Sequence, residues 1–321
     1  MACGPVDKMD SRDSEEESTA AVDDLSRLNE QILESPQEIQ GYLERARLYK
    51  DRGILGSAFE DTRRALMLDS TDSEVHRLMG SLYYLDGQLG QAKYAYENAL
   101  LFESDDTESM LELAQIYLVL TNHDRAMEQV NRALRVDEQI PRAYLLKGLI
   151  YRELGNKELA KSSLQTVTEL DPQDAEAFNL LGMTYAEERD TLALVYYGTS
   201  LEVDSMHKEA LYNRAYFLQE QGRFDEAIAD YKLLLSRHPQ TAIAHYNMGY
   251  IQLGMLGDME KAVDEFTEAI RHNPRYYQAY SARAVALEEL GRIPEAIGDY
   301  ERALEIVPDH SPSIDGLNRL R

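Results

Sequence analysis

The side chains best equipped for chemistry in this chain are seven histidines, one cysteine and a large surplus of carboxylates. Imidazole and thiolate bind metals and activate nucleophiles, and paired carboxylates serve as general acid and base. The histidines, His76, His123, His207, His238, His245, His272 and His310, are scattered. His238 and His245 are seven apart, but Pro239 lies between them and breaks any shared helical face. Cys3 has no second cysteine with which to hold zinc. The chain contains no glycine-rich phosphate loop, no Gly-x-Ser-x-Gly and no His-Glu-x-x-His. No carboxylate pair is marked above the rest. Each histidine therefore reads as a surface or packing residue, and no catalytic centre, metal or cofactor is expected.

Charge narrows the partners. Lys and Arg number 33 against 58 Asp and Glu, a formal net charge of −25. Phosphate backbones are bound by clustered cations, and the longest basic run here is the pair Arg63 and Arg64, so nucleic acid is not an expected partner. Residues 1–24 hold eight acidic and two basic side chains, so most of the negative charge is spread along the remainder. Such a surface keeps the chain soluble and steers basic patches toward it. No apolar run approaches the 18 or so residues of a membrane-spanning helix.

The elements that must position any site announce themselves through small residues. Ala46, Gly80, Ala114, Gly148 and Gly182 follow one another at 34 residues, and Ala215, Gly249 and Ala284 continue at steps of 33, 34 and 35. Further alanines trail these landmarks by about 12 residues (Ala58, Ala92, Ala126, Ala160, Ala227, Ala296) and by about 19 (Ala65, Ala99, Ala133, Ala269, Ala303). Close helix contact is possible only at such side chains. Within one unit, Tyr280, Arg283, Ala284 and Leu287 have the spacing of a helix face, Gly291 ends that helix, and Pro294 opens a second. Ala296, Ile297, Tyr300, Ala303 and Leu304 form the second stripe, and Pro308 stops it.

Helix, glycine turn, helix and proline at a 34-residue period resemble the tetratricopeptide repeat (TPR) family over residues 39–310. The resemblance implies an all-α fold, a right-handed superhelical TPR solenoid of eight helix-turn-helix repeats (39–72, 73–106, 107–140, 141–174, 175–207, 208–241, 242–276 and 277–310). Residues 22–38 read as an N-terminal capping helix and 311–321 as a C-terminal one; polar caps keep an open stack soluble. Two turns are irregular: Arg189 replaces the glycine in a fifth repeat one residue short, and QLGMLGD makes the seventh one residue long. Length drift in loops is tolerated, and no function is assigned to either, although both should alter local stacking.

In this family, positions 2, 5, 6, 9, 12 and 13 of each first helix line a concave groove. The resemblance thus makes Arg77, Leu78, Tyr84 and Leu85, then Leu111, Gln115, Leu118 and Val119, then Leu145, Leu146, Leu149 and Arg152 candidate partner-binding residues. This stripe is apolar, as interaction surfaces often are, and would suit an amphipathic helix or an extended peptide. The alternative is that some of its leucines pack between repeats. The sixth and seventh repeats differ, with Tyr212, Asn213 and Tyr216 followed by Tyr246, Asn247 and Tyr250. Asparagine amides there could bind a peptide backbone, flanked by amphipathic tyrosines. A clamp for acidic chaperone tails requires cations that are missing: Asn179, Met183, Asn213, Ile243 and Asn247 occupy its positions in units five to seven, and Tyr212, Tyr216, Asn247, Gln278 and Ala282 in units six to eight.

Residues 1–21, without aromatic residues and rich in Ser, Asp and Glu, read as a disordered acidic tether. Ala2-Cys3-Gly4 at its head resembles the processed end of a bacterial lipoprotein signal, which makes Cys3 a lipidation candidate. No basic and apolar stretch precedes Cys3, so this reading requires that Met1 replace a removed signal peptide. The other reading is an ordinary flexible cytosolic start. The function expected is a non-enzymatic scaffold that binds a protein or peptide ligand in its groove. It would sit in the bacterial envelope if Cys3 is lipidated and in the cytoplasm otherwise. A regulatory or substrate-binding subunit of an enzyme encoded elsewhere is the remaining alternative.

Overall fold

A computed structural model describes residues 24–321, which are helical throughout apart from turns. The acidic segment 1–21 and Cys3 lie outside the described residues, as do the first two residues of the N-terminal cap. The chain divides into two compact units at Asn156 and Lys157. The first contains α1 (24–34), α2 (Ile39–Asp51), α3 (Leu55–Leu68), α4 (Ser73–Leu85), α5 (Leu89–Phe102), α6 (Thr107–Val119), α7 (His123–Val136) and α8 (Pro141–Glu153). The second contains α9 (Lys157–Leu170), α10 (Ala175–Ala186), α11 (Leu192–Val203), α12 (Lys208–Glu220), α13 (Phe224–Arg237), α14 (Ala242–Ile251), α15 (Met259–His272), α16 (Tyr277–Glu289), α17 (Ile293–Ile306) and α18 (Ser311–Leu320). No described helix is long and apolar enough to cross a membrane.

Three hairpins close where a glycine of the first helix meets an aromatic ring of the second. A β-carbon added at Gly80 would come within 2.8 Å of Tyr96, at Gly182 within 2.5 Å of Tyr197, and at Gly249 within 2.8 Å of Phe266. The rings of Tyr96, Tyr197, Phe266, Tyr231 and Tyr300 are among the largest fully buried side chains. In three other hairpins, a bidentate ion pair ties the two helices together. Arg45 meets Asp61 at 2.7 and 2.6 Å, Arg214 meets Asp230 at 2.7 and 2.8 Å, and Arg283 meets Asp299 at 2.7 and 2.8 Å. In each case the partners are 16 residues apart, one on each helix. The hydrogen bonds each arginine donates to its aspartate outweigh desolvation and raise the pKa of Arg45 and of Arg283.

Helix starts are capped by side chains that accept backbone N–H groups left over in the first turn. Asp72 accepts from Val75, Asp106 from Glu108 and Ser109, and Asp174 from Ala177. The turns between helices require left-handed backbone, supplied by glycines such as Gly222 (φ +73°) and Gly291 (φ +73°). Two turns achieve it without glycine, at Thr121 (φ +53°) and Arg189 (φ +58°). The extra residue of the seventh repeat is absorbed as a π-type turn, Gln252–Leu256, closed by Gly257 (φ +68°).

Two predictions follow from this geometry. Gly182→Val drives a branched side chain into Tyr197 and should lower the unfolding free energy by about 2 kcal/mol in urea titration followed by circular dichroism. Thr121→Gly and Arg189→Gly should each raise it by about 1 kcal/mol, since an L side chain in left-handed backbone costs roughly that amount.

Candidate functional site

The first-helix face of the first unit is less apolar than its sequence suggests. Leu78, Leu111 and Leu146 are buried, with Leu111 only 3% exposed, so they seal the seams between helices and present no surface. Leu118, Leu145 and Leu149 are half-buried. Leu85 and Val119, one repeat apart at the ends of α4 and α6, stand 55% and 56% exposed. Between these apolar points runs a charged network. Arg142 donates to Gln115 Oε1 at 2.8 Å and pairs with Glu112 at 2.8 Å, while Gln115 donates to the Tyr84 hydroxyl at 3.1 Å. Arg77 meets Asp106 at 3.1 Å and Glu108 at 3.5 Å, and Arg47 pairs with Glu74. Burial opposes the Arg77 charge, but Asp106 and Glu108 outweigh it and raise its pKa. Arg47, Arg77, Arg142, Tyr84 and Leu85 line a concavity of 390 Å³. Arg152, from the same candidate set, is half-buried on α8.

The corresponding face of the second unit is aromatic. Tyr212 and Tyr216 stack at 6.1 Å between ring centres, and Tyr246 packs 5.0 Å from Tyr276. Tyr216 and Tyr250, again one repeat apart, are 42% and 47% exposed. Desolvation and the neighbouring Glu220 raise the Tyr216 pKa. Both asparagines are already engaged. Asn213 donates to Asn179 Oδ1 at 3.0 Å, and Asn247, 7% exposed, donates to the Tyr231 hydroxyl at 2.9 Å. Tyr231 passes the chain on to Gln219 at 3.1 Å, and burial pushes its own pKa up. Asn247 thus supplies the polar partner that the buried Tyr231 hydroxyl needs, and Asn213 is tied to the preceding repeat through Asn179.

The histidines mostly serve the frame. His207 caps α12 by accepting from the Ala210 N–H at 3.3 Å, and His123 pairs with Glu153 at 2.6 Å. His245 and His272, 27 residues apart, stack at 5.7 Å. Sequence spacing held no signal for that pair, since only the α14–α15 fold-back brings them together.

These helical hairpins define a helical-repeat protein. One tetratricopeptide repeat model matches residues 191–240, 212–271 and 256–311, and a second matches 141–174. Human tetratricopeptide repeat protein 13 is 33% identical over 98 residues, 29% of this chain and 11% of that protein. Hsp70-Hsp90 organizing protein 1 of Glycine max is 41% identical over 51 residues, 16% of this chain and 9% of that protein. The chain spans 11% to 24% of the length of the first curated relatives it matches. A solved structure of pilF from Pseudomonas aeruginosa superposes with a TM-score of 0.56 at 17% identity, covering 63% of this chain and 92% of that one, a likeness of fold alone. The chain carries tetratricopeptide repeats over residues 141–174 and 191–311. Proteins of this family generally mediate protein–protein interactions, and relatives of this fold are in general non-enzymatic scaffolds.

The roles of the two asparagines separate by stability. Asn247→Ala removes the donor to a buried hydroxyl and should cost about 1–2 kcal/mol in chemical denaturation. Asn213→Ala, at a half-buried site, should cost less than half of that.

Proposed function

We propose that this chain is a non-enzymatic scaffold that binds a peptide or a helix of a partner protein along its first-helix faces. The observation that supports this most is the periodic exposure of apolar side chains on an otherwise polar face. Leu85 and Val119 recur one repeat apart in the first unit, as do Tyr216 and Tyr250 in the second. A ligand with side chains at a matching interval would bury each in turn, and the flanking Arg47, Arg77 and Arg142 would meet its carboxylates. An acid-bearing amphipathic segment fits the first unit better than a purely hydrophobic one. Tyrosines offer the second unit large contact area at small entropic cost.

The chaperone association in the name of the Glycine max relative does not extend to this chain. Asn179, Met183, Asn213, Ile243 and Asn247 bring no cation to the positions that would grip an acidic tail, and Asn213 is bound to Asn179. An envelope tether through Cys3 rests on Ala2-Cys3-Gly4 and on the sole cysteine standing ahead of a short acidic segment and the repeats; mass spectrometry of the native N-terminal peptide decides it, and an unmodified Cys3 would end that version. Without the tether, a soluble adaptor or a regulatory subunit uses the same faces.

Crosslinking and mass spectrometry in the native organism would identify partners of the wild-type chain. Leu85→Glu/Val119→Glu and Tyr216→Ala/Tyr250→Ala should each reduce recovery of a face-bound partner at least tenfold while helicity is retained. Full recovery with both double variants would overturn the proposal.

A further inference from the structure

The hairpin of α14 and α15 gathers a donor set that sequence spacing concealed. His245 on α14 faces Glu268 and His272 on α15, and one donor atom from each lies within 4.8 Å of the others. Glu268 and His272 are four apart and so share one helical face. The His245 Nδ1–H donates to Glu265 Oε2 at 2.7 Å, which orients the ring. A carboxylate behind a histidine is the arrangement that orients an imidazole ligand and makes it more basic.

A cationic group already sits in this cluster. Arg271 lies 2.7 Å from Glu268 Oε2 and donates to His272 Nε2 at 2.6 Å. Arginine has no acceptor and stays protonated, so His272 presents Nε2 as a lone pair, in the neutral form that a metal requires. The guanidinium therefore bridges two of the three donors, the His272 imidazole and the Glu268 carboxylate. Its side chain is 59% exposed and can swing into solvent.

We propose that His245, Glu268 and His272 bind one zinc-class divalent cation, with Glu265 holding His245 in position and Arg271 competing for the same donors. Two imidazoles and one carboxylate suit zinc and its first-row neighbours and disfavour calcium and magnesium, which prefer all-oxygen cages. Zinc bonds to nitrogen and oxygen of about 2.0–2.2 Å place tetrahedral donors about 3.5 Å apart, so the two imidazoles, stacked within 9° of parallel, must turn out of the stack to aim both in-plane lone pairs at one ion. The remaining coordination faces solvent, open to water or to a donor from a partner. Bound metal would cross-link the two helices of the seventh repeat, the hairpin whose connection carries the π-type turn. This inference stands apart from the peptide-binding reading and uses none of its residues.

The test is titration of the full chain, stripped with chelator, with zinc chloride alone, followed by calorimetry and by histidine ring signals in NMR. One saturable site is expected, with His245 and His272 resonances moving and His76 unmoved. His272→Gln, at a partly exposed helix end, should weaken binding by more than about 100-fold, and Glu265→Gln by about 10- to 100-fold. Arg271→Gln should tighten it several-fold, a direction that simple loss of structure would not produce. Calcium should not compete. Absence of a saturable site, or equal zinc affinity in His272→Gln and wild type, would overturn the proposal and assign any binding to the general acidic surface.

Discussion

The structure depends on how closely two helices approach at one point of each repeat. Where that point is Gly80, Gly182 or Gly249, the α-carbon lies against the ring of Tyr96, Tyr197 or Phe266, and no β-carbon fits between. The aromatic ring fills the volume that the missing side chain vacates, which joins the hairpin at interior packing density. Ala46, Ala114, Ala215 and Ala284, fully buried, occupy the same step in other repeats. Everything on the first-helix face inherits its spacing from this contact, since it fixes both the separation and the rotation of the two helices.

Charge is organised around the same frame. The formal charge of −25 implies a repulsive shell, yet many acids have local partners. Asp61, Asp230 and Asp299 are paired across hairpins, and Asp72, Asp106 and Asp174 neutralise helix N-termini. At the C-terminal end, Arg319 grips Glu288 at 2.6 and 2.7 Å; together with the Tyr300 hydroxyl it holds the Glu288 pKa below the ordinary range. That contribution to stability is complete above the ordinary glutamate range and is lost as pH falls through the lowered value. It ties α18 to α16 and closes the last hairpin.

The tetratricopeptide repeats share this frame, while the working surfaces differ between the units. The first combines exposed Leu85 and Val119 with Arg47, Arg77 and Arg142; the second exposes Tyr216 and Tyr250 beside an amide network turned inward. Leu111 and Asn247 share the helical phase of groove residues and are nevertheless buried. Helical phase describes one helix, whereas burial depends on the next helix along.

The sequence by itself determined the repeating hairpin, because the 34-residue recurrence of alanine and glycine, the turn glycines and the prolines act locally or between neighbouring helices. It also placed Arg189 at a turn, where the backbone remains left-handed at φ +58° without glycine. Tertiary structure alone decided which groups meet across a hairpin. The Arg–Asp pairs 16 residues apart, Asn247 against Tyr231, and His245 against His272 all depend on the rotation of one helix about another. That rotation is set by the fit of rings against small residues, and a one-residue change in turn length, as in the seventh repeat, shifts it. Periodicity therefore reveals the frame, and only packing reveals what the frame brings together.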